Sequence, residues 1–225
     1  LDSGHEMSGF DSAFLCGALK KFQPKKIIEV GITSRITTSI ILQCLEDIGQ
    51  EYEMHSVDIA TNRYHAAKSN IARQLEPDYA WKYIKETAIS NLPADTNEAE
   101  LHGKHIFHDG QDLIPALGKI GNEIDFVVFN VISNEVPGEI LDFLAILPYL
   151  KNDAVVVLRN VIESQLDFNK TNNNASALLF STVDADKFIN FPPQHVDLVY
   201  AYPNIGAFQI NEFTRANIEN VFLVN

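Results

Sequence analysis

The chain has 225 residues, of which 46% are hydrophobic and 21% charged. This is an ordinary globular composition with enough apolar side chains for one sizeable core. The formal net charge of −13 disfavours binding to the phosphate backbone of a nucleic acid, and no Lys/Arg-rich run offsets it. No apolar run reaches the roughly 20 residues that a membrane-spanning helix needs. We therefore expect a single domain over residues 1–225, with neither nucleic acid nor membrane as a partner.

The two cysteines lie in apolar stretches of helical spacing. Cys16 and Cys44 are therefore predicted to be buried free thiols. Free thiols are typical of reducing compartments, so this interpretation favours a cytoplasmic location.

In chain order, helical and extended patterns alternate. Apolar residues three and four positions apart predict helices over residues 10–22, 36–45, 64–75, 112–120, 138–147, 176–189 and 214–221. Short apolar runs predict strands over residues 26–30, 52–57, 104–108, 124–130, 154–161, 195–202 and 206–210. Between them, residues 76–103 form an irregular insertion, which is either a solvated surface excursion or a lid over a site.

This alternation predicts a Rossmann-like α/β fold. Strands that alternate with helices form a mostly parallel sheet with helices on both faces, which is a three-layer sandwich. The last two predicted strands are too close in the chain for a crossover helix between them. We therefore expect a mostly parallel seven-stranded sheet that closes with a C-terminal antiparallel hairpin.

The stretch from residue 25 to residue 60 has the pattern strand, turn, helix, strand. Gly31 follows the first strand, and Asp58 ends the second. In nucleotide-binding pockets, the glycine lets the ligand approach the backbone and the acid accepts the ribose hydroxyls. The alternatives are a plain strand-helix turn at Gly31 and a capping or surface acid at Asp58.

Three further segments are informative: KIIEVGITSRITT at 26–38, HSVDI at 55–59 and FHDGQDLIP at 107–115. They resemble the class I S-adenosylmethionine-dependent methyltransferases, in particular the branch of small-molecule O-methyltransferases. The resemblance implies S-adenosylmethionine as cofactor and a small-molecule or sugar-like acceptor oxygen. It also implies cofactor-binding roles for six residues: Glu29, Gly31, Thr33, Thr37, Asp58 and Asp109. Thr37 and its neighbour Thr38 are equally well interpreted as helix-capping residues.

Several positions depart from the family pattern. A later glycine of the first loop is replaced by Arg35, and metal-binding members carry an acid where this chain has Asn130. They carry Asp-Asn where this chain has Arg159 and Asn160. A hard divalent cation needs anionic oxygen ligands, so these residues predict a metal-independent site. Asn130, Arg159 and Asn160 are the catalytic candidates, and Arg159 is predicted to hold an anionic substrate where the metal would lie.

Three functions are compatible with these features. The favoured one is a metal-independent methyltransferase, because methyl transfer needs proximity and orientation more than acid-base groups. The second is a catalytically degenerate relative that serves as a binding or scaffold domain, as the altered positions would allow. A nicotinamide-dependent dehydrogenase is disfavoured, because the Gly-x-Gly-x-x-Gly fingerprint is missing after Gly31. The histidines at 105 and 108 are predicted to be structural.

Overall fold

The computed structural model describes residues 9–32, 36–59, 103–131, 137–161, 175–190 and 205–218. The predicted helix at 64–75 and the predicted strand at 195–202 lie outside these ranges. The predicted insertion at 76–103 also lies outside them, apart from its last residue.

The described ranges contain seven strands and six α-helices. The strands are β1 (Lys26–Val30), β2 (Tyr52–Asp58), β3 (Gly103–Asp109), β4 (Ile124–Phe129), β5 (Leu150–Arg159), β6 (Asp186–Ile189) and β7 (Ile205–Gln209). The helices are α1 (Gly9–Phe22), α2 (Ile36–Ile48), α3 (Leu113–Ile120), α4 (Gly138–Ile146), α5 (Ala175–Thr182) and α6 (Glu212–Ala216). A 3₁₀ turn at Leu147–Tyr149 leads from α4 into β5.

The strands form one sheet in the order β3-β2-β1-β4-β5-β7-β6. The first five strands of this order are parallel, whereas β7 is antiparallel to both β5 and β6. This arrangement confirms the predicted fold class, a mostly parallel seven-stranded sheet with an antiparallel C-terminal part. The predicted hairpin partner of β7 was wrong, because the two neighbours of β7 are β5 and β6.

Two apolar layers cover the sheet, one on each face. On one face, α1 and α2 pack through Leu15, Leu19, Ile41 and Leu45 against the residues of alternate strand positions, such as Ile27. On the other face, α3, α4 and α5 cover the remaining positions, through residues that include Leu117, Phe143 and Leu179. Because side chains alternate along a strand, each strand contributes to both layers. The sheet and the helices on its two faces therefore form the predicted three-layer sandwich.

The segment predicted as one helix over 176–189 is a helix followed by a strand. Near the end of α5, the hydroxyls of Ser181 and Thr182 donate hydrogen bonds to the carbonyl oxygen of Leu178, at 2.9 and 2.8 Å. Hydroxyls that bind backbone carbonyls in this way compete with the helix. The chain then turns, and Phe188 pairs with Ala207 in the antiparallel β6–β7 ladder. The helix prediction was therefore wrong for residues 186–189, where tertiary pairing outweighs local pattern.

The prediction of free thiols is also wrong. Cys16 of α1 and Cys44 of α2 form a disulfide, with their Cα atoms 5.9 Å apart. Their helical spacing indicated burial correctly for Cys44, but it carries no information on which residues face each other. Disulfides are rare in reducing compartments, so the cytoplasmic location, which was inferred from free thiols, loses that support and remains only a prediction. No helix in the described part of the chain is long and apolar enough to span a membrane.

Candidate functional site

The carboxyl ends of β1 and β4 form the topological switch point of the sheet. From β1, the chain passes to β2 on one side and later returns to β4 on the other side. Open α/β sheets bind ligands in the crevice at such a point. Gly31 and Asn130 are the first residues after the two strands, and the backbone N–H of Asn130 donates to the Val30 carbonyl at 2.8 Å.

Gly31 is required here by the backbone. Its N–H donates to the carbonyl of Val57 at 2.9 Å, and its φ is +87°, in the region that favours glycine. A Cβ at this position would lie 2.7 Å from the carbonyl oxygen of Asn130. The close approach of β1 and β4 therefore explains the glycine without a ligand, and its predicted cofactor role remains a prediction.

Asp58 fixes the turn that follows Gly31. Its buried carboxylate accepts a hydrogen bond through Oδ2 from the backbone N–H of Ile32 at 2.8 Å. Its carbonyl oxygen accepts from the N–H of Gln111 at 3.3 Å. Asp58 thus ties the loop after β1 to the loop after β3, and any role toward a ligand is additional to this structural one.

Glu29 is the fully buried acid of the site. Its Oε2 accepts hydrogen bonds from the hydroxyls of Thr38 and Ser56, at 2.7 and 2.8 Å, while Oε1 has no hydrogen-bond partner. Burial raises the pKa of Glu29 to about 7, outweighing the lowering by the two hydroxyls and by the Asn130 amide. The nearby charge of Asp58 raises it further. The Nδ2 of Asn130 itself makes no hydrogen bond of ordinary geometry, so we assign the amide a weak influence on Glu29 and no direct bond.

A histidine extends this polar row toward the edge of the sheet. The ring Nε2 of His105 lies 2.9 Å from the hydroxyl of Ser56. Because Ser56 donates its own proton to Glu29, His105 must donate through Nε2, which leaves its buried Nδ1 unprotonated and without a partner. Burial, and to a lesser extent the electrostatic effect of nearby His55, lowers the pKa of His105 to about 3. The ring is therefore neutral, which agrees with a structural role.

A second histidine chain lies on the opposite face of β2 and β3. His55 Nδ1 is 2.9 Å from His108 Nε2, and His55 Nε2 is 2.8 Å from a carboxylate oxygen of Glu53. Burial lowers the pKa of both histidines, to about 4 for His108. Neutral rings satisfy this chain, with each donor matched to an acceptor. This agrees with the structural role predicted for His108, whereas His55 carries no prediction from the sequence.

Asn130 and Arg159 meet at the ends of β4 and β5. The guanidinium Nη1 of the half-buried Arg159 donates to Oδ1 of the fully buried Asn130 at 2.7 Å. The next residue, Asn160, has a φ of +61°, a left-handed conformation that asparagine tolerates better than most residues. The structure thus brings together Asn130 and Arg159, two of the three predicted catalytic residues.

This donor set does not fit a hard divalent cation. A guanidinium is a permanent cation, and an amide supplies only one neutral oxygen, which here already accepts from Arg159. Within the ranges that the structure describes, no three His, Cys, Asp or Glu side chains are grouped as metal ligands. The metal-independent site remains a prediction that these residues support.

The other predicted residues divide into two groups. Thr37, near the start of α2, is fully buried, and its Oγ1 has no hydrogen-bond partner. Thr33 and Arg35 lie outside the described residues, as does the side chain of Asp109, whose backbone pairs with that of Asp58.

Sequence reasoning missed two of the partners of Glu29. It left Thr38 open between a helix cap and a ligand contact, and it gave no role to Ser56. The register that places Ser56 beside Glu29 in the parallel pair β1–β2 would have identified the serine. Local pattern does not reveal that register.

At the sequence level, no model of a protein family matches the chain, and no curated protein sequence matches it. Solved structures do match. The O-methyltransferase TomG from Streptomyces achromogenes, in complex with SAM, has a TM-score of 0.57 and 14% identity, over 93% of this chain and 83% of that chain. The O-methyltransferase from Bacillus cereus, in complex with SAH, has a TM-score of 0.57 and 14% identity, over 92% of this chain and 84% of that chain. The fold is that of the O-methyltransferases. The SAH-bound methyltransferase PaMTH1 from Podospora anserina is similar as well, with a TM-score of 0.55 and 13% identity over 94% of this chain and 82% of its own.

Proposed function

We propose that the protein is an S-adenosylmethionine-dependent methyltransferase that acts on an oxygen of a small or sugar-like molecule without a metal ion. The observation that carries the proposal is a set of buried polar atoms without partners around the switch point: Glu29 Oε1, Thr37 Oγ1 and Asn130 Nδ2. Each such atom costs about 1–3 kcal/mol when it is left unpaired. Three of them on neighbouring segments are accounted for by a polar ligand at this edge of the sheet.

The residues present fit the proposed cofactor. Glu29 offers a carboxylate oxygen to an ammonium group, and Asp58 is the acid at the end of β2 that suits ribose hydroxyls. Asp109, at the end of β3, is proposed to contact the adenine. When bound, the cofactor supplies an electrophilic methyl group on a sulfonium. The contribution of the chain is to hold the acceptor oxygen in line with that methyl group and to exclude water.

The structural likeness supports this choice of cofactor. TomG is described in complex with SAM and the Bacillus cereus enzyme in complex with SAH, and both share the fold at low sequence identity. At this level of identity the likeness shows a shared fold and nothing more, so the cofactor and the reaction are proposals for this chain.

Ligand-dependent thermal unfolding tests the cofactor. A ligand at 100 times its dissociation constant adds about 2.7 kcal/mol to the free energy of unfolding, which raises Tm by a few degrees. We expect this shift with S-adenosylmethionine and S-adenosylhomocysteine and none with NADH. No shift at millimolar S-adenosylhomocysteine, or an equal shift with NADH, would overturn the proposal.

Asp58→Asn makes the test residue-specific. The asparagine keeps an acceptor for the Ile32 N–H but removes the charge, so we expect weaker binding of S-adenosylhomocysteine by about tenfold, as for the loss of a charged hydrogen-bond partner. The matched control is Asp153→Asn, which removes an exposed carboxylate near the opposite end of β5. Equal affinities in the two variants would remove Asp58 from the proposed pocket.

The alternative is a catalytically degenerate domain that binds a ligand without turnover. The Asn130–Arg159 pair favours it, because these residues stand where metal-binding relatives keep acids. Formation of S-adenosylhomocysteine with a panel of hydroxylated acceptors separates the two functions. Cofactor binding with no product from any acceptor would favour the degenerate domain.

A further inference from the structure

A row of polar side chains crosses three neighbouring strands on the face of the sheet that α1 and α2 cover. Glu29 of β1 pairs with Ser56 of β2, and His105 of β3 lies diagonal to Ser56, opposite Met54. The hydroxyl of Ser56 donates to Oε2 of Glu29 at 2.8 Å and lies 2.9 Å from Nε2 of His105. Glu29 and Ser56 have no exposed surface, so bulk water does not reach this part of the row.

The hydrogen bonds of the row run in one direction. An ionised carboxylate only accepts, so the hydroxyl proton of Ser56 points to Glu29. The oxygen of Ser56 is then an acceptor, and the ring nitrogen beside it must carry a proton. The row therefore runs from the Nε2–H of His105 through Ser56 to Oε2 of Glu29. Hydrogen bonds in such a chain polarise and strengthen one another, which stabilises the ionised form of Glu29.

The row also fixes which oxygen of Glu29 remains available. Thr38 donates to Oε2 at 2.7 Å, so both hydroxyls hold the same carboxylate oxygen. Oε1 is buried and has no hydrogen-bond partner among the described residues. The carboxylate is thus held in one orientation, and Oε1 is the oxygen left for a donor at the switch point.

We propose that Ser56 and His105 are positioning residues of the proposed cofactor site. They keep the Glu29 carboxylate ionised and turned so that Oε1 accepts from the ammonium group of S-adenosylmethionine. Both residues act through Glu29 rather than through contact with the cofactor. The inference rests on the proposed methyltransferase function and adds to that site two residues to which the sequence analysis assigns no cofactor role.

The surroundings of Glu29 explain why such donors matter. Burial raises the pKa of Glu29 to about 7, with a smaller contribution from the charge of Asp58. The neutral groups around the carboxylate lower this pKa, and they are Thr38, Ser56 and Asn130. Burial, with a smaller effect of His55, lowers the pKa of His105 to about 3, so His105 stays neutral while Glu29 titrates. Within the row, Glu29 is therefore the group whose charge changes near neutral pH.

The ligand-free protein provides the first test. With glutamate labelled by ¹³C at the side-chain carboxyl carbon, the NMR signal of Glu29 is the one that Glu29→Gln lacks, and its titration gives the pKa. Ser56→Ala removes one charged hydrogen bond and should raise this pKa from about 7 to about 8. His105→Leu should raise it by less, because Ser56 still donates. His105→Gln should keep the wild-type pKa, since the glutamine amide supplies an N–H donor in place of the ring nitrogen.

Ser176→Ala is the matched control for the loss of a buried hydroxyl. Ser176 donates to Oε1 of the buried Glu139 at 3.1 Å, on the other face of the sheet. This variant should leave the pKa of Glu29 unchanged. The ¹⁵N shifts of the His105 ring give an independent readout, and they should show a proton on Nε2 and none on Nδ1 at pH 8.5.

The affinity for S-adenosylhomocysteine between pH 6 and pH 9 tests whether the row serves the cofactor. If the ligand binds only when Glu29 is ionised, the change in pKa weakens binding to Ser56→Ala by about tenfold at pH 6 and about fivefold at pH 7. At pH 9 the two proteins should bind almost equally. The titration of the ligand's own amino group cancels in this ratio.

The outcomes distinguish this proposal from the proposed function. An unchanged pKa of Glu29 in both Ser56→Ala and His105→Leu, or a proton on Nδ1 of His105, would refute the positioning role and leave methyl transfer standing. So would an affinity ratio that stays constant from pH 6 to pH 9, which would indicate a merely structural role. If the wild-type protein binds no S-adenosylhomocysteine at any pH, the proposed function is overturned and the positioning role with it. Should Ser56→Ala not fold, the comparison of His105→Leu with His105→Gln decides the same question.

Discussion

Replacing Glu29 by glutamine should change how the stability of the protein depends on pH. Glu29 is fully buried, and its pKa is raised from 4.5 to about 7, chiefly by burial. Glutamine keeps an oxygen that can accept from the hydroxyls of Thr38 and Ser56, but it cannot ionise. The variant therefore isolates the ionisation of one side chain.

The sign follows from linkage. Below pH 4.5 the carboxyl group is protonated in both the folded and the unfolded protein, so it adds no pH dependence. As the pH rises from 4.5 to about 7, the unfolded chain ionises first, and the wild-type protein loses stability that it does not regain. The two pKa values correspond to about 3 kcal/mol in total, and to about 2–3 kcal/mol between pH 5 and 8. The free energy of unfolding of Glu29→Gln should rise by that amount relative to wild type over this interval.

Urea unfolding followed by circular dichroism measures this difference at each pH. Comparing the two proteins cancels the other groups that titrate in the same window, among them Asp142, whose pKa is raised to about 6. Glu139→Gln is the matched control, because burial also raises the pKa of Glu139 to about 7, and it lies on the other face of the sheet against Ser176. It should show a similar pH-dependent gain in stability.

The affinity for S-adenosylhomocysteine separates the two glutamates. If Glu29 binds the ammonium group of the cofactor, affinity should increase as the pH rises through about 7, and Glu29→Gln should lose this dependence. Glu139→Gln should keep it. A difference in unfolding free energy between Glu29→Gln and wild type that stays constant from pH 5 to pH 8 would refute the assigned titration. An unchanged pH profile of binding in Glu29→Gln would refute the cofactor contact alone.

Two further predictions concern the scaffold. Gly31→Ala should destabilise the protein by at least about 1–3 kcal/mol, because the φ of +87° and the 2.7 Å approach to the Asn130 carbonyl oxygen both oppose a Cβ. Gly118→Ala in α3 is the control. Its Cβ would meet no atom within 4 Å, so this variant should stabilise the helix by about 0.5–1 kcal/mol. Urea unfolding of both variants checks this, and equal effects would contradict the backbone argument. Reduction of the Cys16–Cys44 disulfide, whose cysteines are 28 residues apart in the chain, should lower the free energy of unfolding by about 3–4 kcal/mol. A urea midpoint that dithiothreitol leaves unchanged would contradict the cross-link.

Much of the fold follows from local pattern. The apolar runs of β4 and β5, which are buried on both faces, and the helical spacing in α1 and α3 predicted these elements to within a few residues. The prediction was wrong where a local pattern competes with distant pairing. Residues 186–189 fit the helical spacing but pair with β7, since a strand is stabilised by a neighbour that lies far along the chain.

In the candidate site too, local pattern predicted some features, whereas others depend on contacts between distant segments. The sequence placed Gly31, Asp58, Asn130 and Arg159 at strand ends, and parallel strands bring their carboxyl ends to one edge. It could not show that Asp58 holds the Ile32 N–H, because that contact depends on how the loop after β1 folds back on β2. The role of Asp58 toward a cofactor is therefore still a prediction, while its role in the turn is a structural finding.

By itself, the sequence determined the order of the elements, the parallel sheet and the identity of the residues at its carboxyl edge, because periodicity and turn residues act over short distances. Only the tertiary structure decided which of these residues meet. Ser56 donates to Glu29 Oε2 through the β1–β2 register, Arg159 is oriented by Asn130, 29 residues away, and Cys16 is bonded to Cys44. The physical reason is that register and helix docking depend on packing of the whole core. A contact across the sheet therefore has no signature in the local pattern of either partner.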